Sequence, residues 1–214
     1  EPARTVGGDF YDCFMLDARR LFLVVADVSG KGLPASLFMA SAKSILRNAA
    51  QLADGRVGET LARAQAEIRL ENPEALFVTA FAAVLDADTG EVAFANAGHE
   101  PVWLRARGTA PERLAGAGGP PLAVLDEFDF PTQARALGRG DSLLLLSDGV
   151  TEATDAAGGF FGADRLRAVL AGLGRDASAR DAAAAIRDAV HAFAGGTEPA
   201  DDLTLLVVRW IGPG

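Results

Sequence analysis

Aspartate recurs at the ends of apolar runs in this chain, most often beside glycine. Gly7-Gly8-Asp9-Phe10-Tyr11-Asp12 comes first, then Val24-Val25-Ala26-Asp27-Val28-Ser29-Gly30. Leu144-Leu145-Leu146-Ser147-Asp148-Gly149 follows, and Asp201-Asp202-Leu203-Thr204 comes last. A buried carboxylate is costly unless it is paired or holds a cation. Strand-end carboxylates with no cysteine or histidine cluster nearby select hard cations, Mg²⁺ or Mn²⁺, in oxygen-rich sites. Each motif alone has an ordinary reading: Asp148-Gly149 is a common turn pair, Asp201-Asp202 a solvated turn, Gly7-Gly8 a flexible loop. Their joint occurrence, in this order, is what points to a metal site.

The elements that must carry these residues follow from apolar runs and turn chemistry. Strands are expected at Leu21–Val28, Leu76–Leu85, Val92–Ala97, Val102–Leu104, Ser142–Leu146 and Leu203–Ile211. They are bounded by turn residues such as Asp88-Thr89-Gly90 and Gly138-Arg139-Gly140-Asp141. Pro34 sits where a first helical turn would begin, and Leu33–Ala50 then runs without proline or glycine beyond it. Further helices are expected at Val57–Leu70, Ala163–Leu173 and Ala179–Ala194. Hairpin-like succession of strands predicts antiparallel sheets rather than regular βαβ winding. Gly116–Pro121 reads as a loop.

Composition narrows the function. The chain has 214 residues, 29 acidic and 20 basic, for a formal charge of -9. One domain fits this length. The balance argues against nucleic acid, which calls for a basic face, and suits a site whose charge is cancelled by cations. Apolar runs such as Leu143–Leu146 are too short to cross a bilayer, so no membrane insertion is expected. The single cysteine, Cys13, excludes an internal disulfide and fits the reducing cytoplasm.

GGDFYD (Gly7–Asp12), ADVSGKGLPASLFMA (Ala26–Ala40), FVTAFAAVLD (Phe77–Asp86), ANAGHEP (Ala95–Pro101), LLLLSDGVTEA (Leu143–Ala153) and DDLTLLVVR (Asp201–Arg209) together resemble the SpoIIE/RsbU-type branch of the PPM (2C-like) protein phosphatases. The resemblance runs from Gly7 to Arg209. It implies an α+β fold, a four-layer αββα sandwich of two antiparallel sheets flanked by helices, with a two-metal site at one end. It implies Asp27 bridging two Mn²⁺ or Mg²⁺ ions, with Asp9 and the backbone carbonyl of Val28 on one ion and Asp148 and Asp201 on the other. Asp202 is expected to orient Asp201 from behind or to serve as an alternate ligand, with Asp12 a neighbour of the site.

The implied activity is hydrolysis of phosphoserine or phosphothreonine on a bacterial signalling protein, with an anti-sigma-factor antagonist as the expected partner. Phosphate monoesters hydrolyse extremely slowly unaided. Two divalent ions roughly 3.5–4 Å apart clamp the phosphoryl oxygens and activate water, so no covalent intermediate is needed. His99 has two readings: it protonates the leaving group, or with Asn96 it fixes a hairpin. Asn96 and Arg4 are candidate substrate-binding residues, and Arg4 also reads as an ordinary exposed arginine. His191 reads as structural. The segment Gly30–Ala50 links Asp27 to a helix that, in relatives of this type, couples upstream domains to the metal site; a plain core helix fits the sequence equally.

The chain is expected to be the catalytic domain of a longer protein carrying an upstream sensor or receiver domain, and a homodimer is compatible with this. The sequence departs from the family at Pro121-Leu122-Ala123, Ser147-Asp148-Gly149 and Ala64-Gln65, none of which removes a ligand. Gly7-Gly8-Asp9-Phe10 lacks the glutamate and the preceding chain of a diguanylate cyclase signature. Gly30-Lys31-Gly32 lacks the Ser or Thr and the upstream glycine of a P-loop. Two alternatives stay open: a catalytically silent pseudophosphatase acting as a binding module, and a phosphodiesterase using the same acidic site.

Overall fold

Arg20–Val28 is apolar at both odd and even positions, and it is buried on both faces. It forms β2, second in a sheet of order β1-β2-β3-β4-β7 in the computed structural model, which describes residues 1–3, 7–30, 32–70, 72, 74–114 and 118–213. The other strands are β1 (Phe10–Met15), β3 (Val78–Asp86), β4 (Glu91–Ala97) and β7 (Gln133–Ala136). A second sheet has the order β6-β5-β8-β9, from Trp103–Arg105 (β5), Glu112–Arg113 (β6), Ser142–Leu146 (β8) and Leu205–Arg209 (β9). Every strand pair in both sheets is antiparallel.

The period of two residues sorts the side chains into layers. Phe22, Val24, Ala26 and Val28 face α1 (Leu33–Leu52) and α2 (Val57–Leu70). Leu23 and Val25 meet Leu143 and Leu145 between the sheets. Leu144, Leu146 and Trp103 face outward onto α4 (Gly162–Gly172) and α5 (Ala179–Ala194). Three apolar layers therefore separate helices, sheet, sheet and helices, and the expected α+β sandwich is the fold observed. α5 has a complete Ser178/Asp181 capping box and ends on Gly195 at φ 59, the left-handed cap glycine provides cheaply.

Three strands escaped the sequence reading. β1 alternates buried and exposed positions, yet its polar residues made it read as a motif. β6 and β7 are short, largely exposed edge strands with little apolar signal. Strand limits also move: Leu76–Leu85 becomes Val78–Asp86, and Leu203–Ile211 shortens to Leu205–Arg209. Asp148-Gly149 is not a simple turn but opens a four-residue helix, α3 (Asp148–Thr151). In the expected Gly116–Pro121 loop, residues 116 and 117 lie outside the described residues; Gly119 bridges Ala97.

Candidate metal centre

Asp27 follows Leu23 and Val25 on the inter-sheet parity of β2, so the strand's pleat turns its carboxylate inward where the sheets end. Its cross-strand partner is Thr79 of β3. Gly8 lies against the same place: a methyl group there would stand 3.0 Å from the Val28 carbonyl oxygen and 3.4 Å from Asp27 Oδ1. The Gly7–Asp9 loop can approach this closely only because Gly8 has no side chain.

Asp202 fixes that loop. Its carboxylate accepts the backbone N–H groups of Ala3 (2.8 Å), Gly8 (2.8 Å) and Asp9 (3.2 Å). Its backbone carbonyl accepts the Ser147 hydroxyl at 3.0 Å, and its N–H donates to Asp201 Oδ1 at 2.9 Å. Ser147 Oγ in turn accepts the Thr204 N–H at 3.0 Å. One buried aspartate thus ties the Gly7–Asp9 loop, the start of α3 and the approach to β9 together. Both Asp202 carboxylate oxygens are engaged in these bonds, while Asp201 lies among the charges felt by Asp27.

Electrostatics binds Asp9, Asp27, Asp148 and Asp201 into one cluster. Burial, then the charges of Asp9, Asp148 and Asp201, then a hydrogen bond with Asp9, push the Asp27 carboxyl up to about 8. Burial pushes Asp9 up to about 6; Ser147 and Thr204 pull it down by hydrogen bonding, and Asp202 and Asp148 push it up. Without a cation, burial and the neighbouring carboxylates thus disfavour the charged form of Asp27. Among the described residues no three acidic, histidine or cysteine side chains close around one point. Like charges this close separate or share protons unless a cation compensates them.

The donor set fits a hard divalent cation. Asp9 Oδ2 is buried with no hydrogen-bond partner, an orphaned acceptor facing carboxylates. All the candidate donors are oxygens, and histidine and thiolate are absent from the set.

His99 has both ring nitrogens engaged. Nε2 lies 3.0 Å from the Leu146 carbonyl, which only accepts, so Nε2 carries the hydrogen and Nδ1 accepts the Thr79 hydroxyl at 2.9 Å. Burial pushes its pKa down to about 4, so the ring is neutral. The proton-donor expectation gives way to a strut joining β3 to the end of β8. Asn96 spends its amide on the His99 backbone, accepting its N–H at 2.7 Å and donating to its carbonyl at 2.9 Å. It closes the turn, with one N–H of its amide still free of these two bonds. Asp12 is likewise turned away: Arg47 of α1 takes both its oxygens at 2.8 and 2.7 Å. Arg4 lies outside the described residues. His191 pairs with Glu1 at 2.9 Å on the surface.

Sequence reading missed Ser147, Thr204 and Thr79 as the groups that hold Asp9 and His99. Ser147 and Thr204 flank recognised aspartates, which was the available signal. Thr79 had none, because its partner is distant in sequence.

The model of the family "Stage II sporulation protein E (SpoIIE)" matches residues 17–211. Protein IcfG of Synechocystis sp. is 31% identical over 196 residues, covering 79% of this chain and 31% of that protein. Phosphoserine phosphatase RsbU of Bacillus subtilis is 29% identical over 151 residues, covering 71% of this chain and 44% of the relative. The chain thus spans less than half the length of these curated relatives. Among solved structures, the RsbU and RsbW domains of Rv1364c from Mycobacterium tuberculosis superpose with a TM-score of 0.79 at 26% identity, over 99% of this chain and 57% of that one.

Proposed function

Since the chain belongs to the SpoIIE family of PPM-type serine/threonine phosphatase domains, we propose that it hydrolyses phosphoserine or phosphothreonine on a signalling protein, using two divalent cations. The observation that carries this is the buried, partnerless Asp9 Oδ2 within the cluster of Asp27, Asp148 and Asp201. Asp9, Asp27 and the Val28 carbonyl would hold one ion; Asp27, Asp148 and Asp201 the other. When bound, the ions neutralise the phosphoryl oxygens and activate a water molecule for attack.

The chain's own residues prepare that site. Asp202 holds the Gly7–Asp9 loop against β2, and Ser147 and Thr204 stand close enough to Asp9 to lower its pKa. Bound cations would favour the charged form of Asp27 that burial and its neighbouring carboxylates disfavour. His99 keeps β3 and β8, and with them the positions of Asp27 and Asp148, in register. Cys13 is exposed on β1, and in the proposed reaction the phosphoryl group passes directly to water with no covalent intermediate.

The proposed substrate is an anti-sigma-factor antagonist, and the proposed context a longer cytoplasmic protein whose upstream domain controls this one. The RsbU relative, named a phosphoserine phosphatase, and the short span of the chain within its relatives support this reading. No described helix is long and apolar enough to cross a membrane. The test is turnover of p-nitrophenyl phosphate and a phosphoserine peptide with Mn²⁺, with Mg²⁺ and with EDTA, beside Asp27→Asn and Asp148→Asn. Cation-dependent turnover lost in both variants is expected. A folded protein that binds Mn²⁺ yet turns over neither substrate would instead be a binding module.

A further inference from the structure

Arg105, Arg107 and Arg175 line a cavity of about 190 Å³ between the β5–β6 turn and the C-terminal end of α4, and among the described residues no acidic side chain lines it. This is the opposite charge to that of the chain, which carries -9 overall. The cavity is remote from the metal centre. Arg105 and Arg209 both pair with Ser142, the first residue of β8, and Leu146 at the other end of β8 adjoins Ser147-Asp148. The strand between is roughly 13 Å long at ~3.3 Å per residue.

The three arginines are not equivalent. Arg105 is anchored: Nε and Nη2 donate to the carbonyls of Leu170 (3.2 Å), Leu173 (2.8 Å) and Gly174 (2.7 Å). It neutralises the negative end of α4 and is held rigidly in the wall. Among the described residues the Arg107 guanidinium pairs with Asp176, at 3.2 Å, through a carboxylate that is 82% exposed. Such exposed pairs are weak and easily exchanged. Arg175 is exposed and has no ion-pair partner among the described residues. Ala110, Pro111, Leu170 and Leu173 complete the walls.

The positive charge runs past the cavity. Arg113 and Arg167 stand 5.4 and 5.5 Å from the ring of Trp103, two residues before Arg105 on β5. On the other side, a methyl group at Gly140 would stand 3.4 Å from Arg209 Nη2 and 3.5 Å from Arg107 Cδ, so these two arginines are neighbours. A stripe of this length exceeds what one small ion could use.

We infer that this cavity is a second binding site, which seats a carboxylate side chain of an acidic polypeptide segment on a partner protein. The guanidinium groups of Arg107 and Arg175 would pair with that carboxylate, the apolar walls would take its methylenes, and the flanking arginines would meet further acidic residues of the segment. Asp176 occupies Arg107 and Arg209 in the partner's absence and would be displaced. The site does not depend on the phosphatase reading.

The test is fluorescence anisotropy of the 214-residue chain with a labelled peptide of alternating glutamate and alanine, against an alternating lysine–alanine peptide and inorganic phosphate as competitor. The acidic peptide should bind, more weakly as salt rises, and the lysine peptide should not. Arg107→Ala/Arg175→Ala should weaken binding about tenfold, and Asp176→Asn should tighten it about threefold. Unfolding midpoint and p-nitrophenyl phosphate turnover should match the parent in both variants, which separates loss of this site from loss of fold or of the metal centre. Equal affinity in parent and double variant, or no binding of the acidic peptide, would overturn the inference. Displacement of the peptide by an equimolar concentration of phosphate would also overturn it, by showing a site for a small oxyanion.

Discussion

The Asp202 carboxylate accepts the backbone N–H of Gly8 at 2.8 Å, across 194 residues of sequence. This bond, with those from Ala3 and Asp9, lets the loop before β1 reach the end of β2. Asp202→Ala should cost about 3 kcal/mol, because buried N–H donors lose their acceptor. It should also weaken Mn²⁺ binding by about 10–100-fold through the freed Asp9. Gly7→Ala should act the same way, since its methyl group would overlap the Asp202 carboxylate. Denaturant unfolding and Mn²⁺ titration calorimetry check both; parent-like Mn²⁺ affinity in either variant would refute the clamp.

Asp27 destabilises the cation-free fold at neutral pH. Its folded pKa of about 8 lies above the unfolded carboxylate value of 3.8. Folding therefore loses stability as pH rises from about 4 to about 8. Asp27→Asn should remove that loss, raising the unfolding midpoint in EDTA at pH 7.5 by several degrees. The same variant should lose most of the stabilisation that Mn²⁺ gives the parent. Calorimetric scans at pH 5 and 7.5, with and without Mn²⁺, read both effects.

His99 should make the domain acid-sensitive. Its folded pKa, about 4, lies below the ordinary histidine value of 6.5. The unfolded chain thus binds the proton first, and stability present above pH 6.5 is lost as pH falls towards 4, by at most on the order of 3 kcal/mol. His99→Gln should flatten this part of the pH–stability curve. It should lower turnover through displacement of Thr79 and Leu146, but leave the alkaline limb of the pH–rate profile where it was. A shift of that limb would restore His99 as the proton donor.

Arg47 and Asp12 join α1 to β1 through two hydrogen bonds, with the Asp12 side chain 9% exposed and that of Arg47 46% exposed. Arg47 also lies 4.2 Å from the Phe14 ring centroid. Arg47→Ala leaves a buried carboxylate unpaired and should cost about 1–3 kcal/mol. Asp12→Ala/Arg47→Ala should cost less than the sum of the single changes. Strict additivity in urea unfolding would show that the pair contributes nothing.

Local chemistry determined much of this protein before any tertiary contact was known. α2 (Val57–Leu70), α5 (Ala179–Ala194) and β8 (Ser142–Leu146) fall where the sequence places them, because apolar period and capping residues act over a few positions. The four acidic motifs are legible for the same reason, as aspartates at the ends of apolar runs. What each aspartate faces is a long-range matter. Asp12 and Asp9 are three residues apart in one motif, yet strand pleating sends Asp12 to Arg47 and the loop sends Asp9 to Ser147 and Thr204. Asp201 and Asp202 are adjacent, yet it is the Asp202 carboxylate that accepts the Gly8 and Asp9 N–H groups. His99 became a strut because Leu146 supplies a carbonyl from 47 residues away. Side-chain type fixes which bonds a residue can make; the packing of the two sheets decides which partners come within reach.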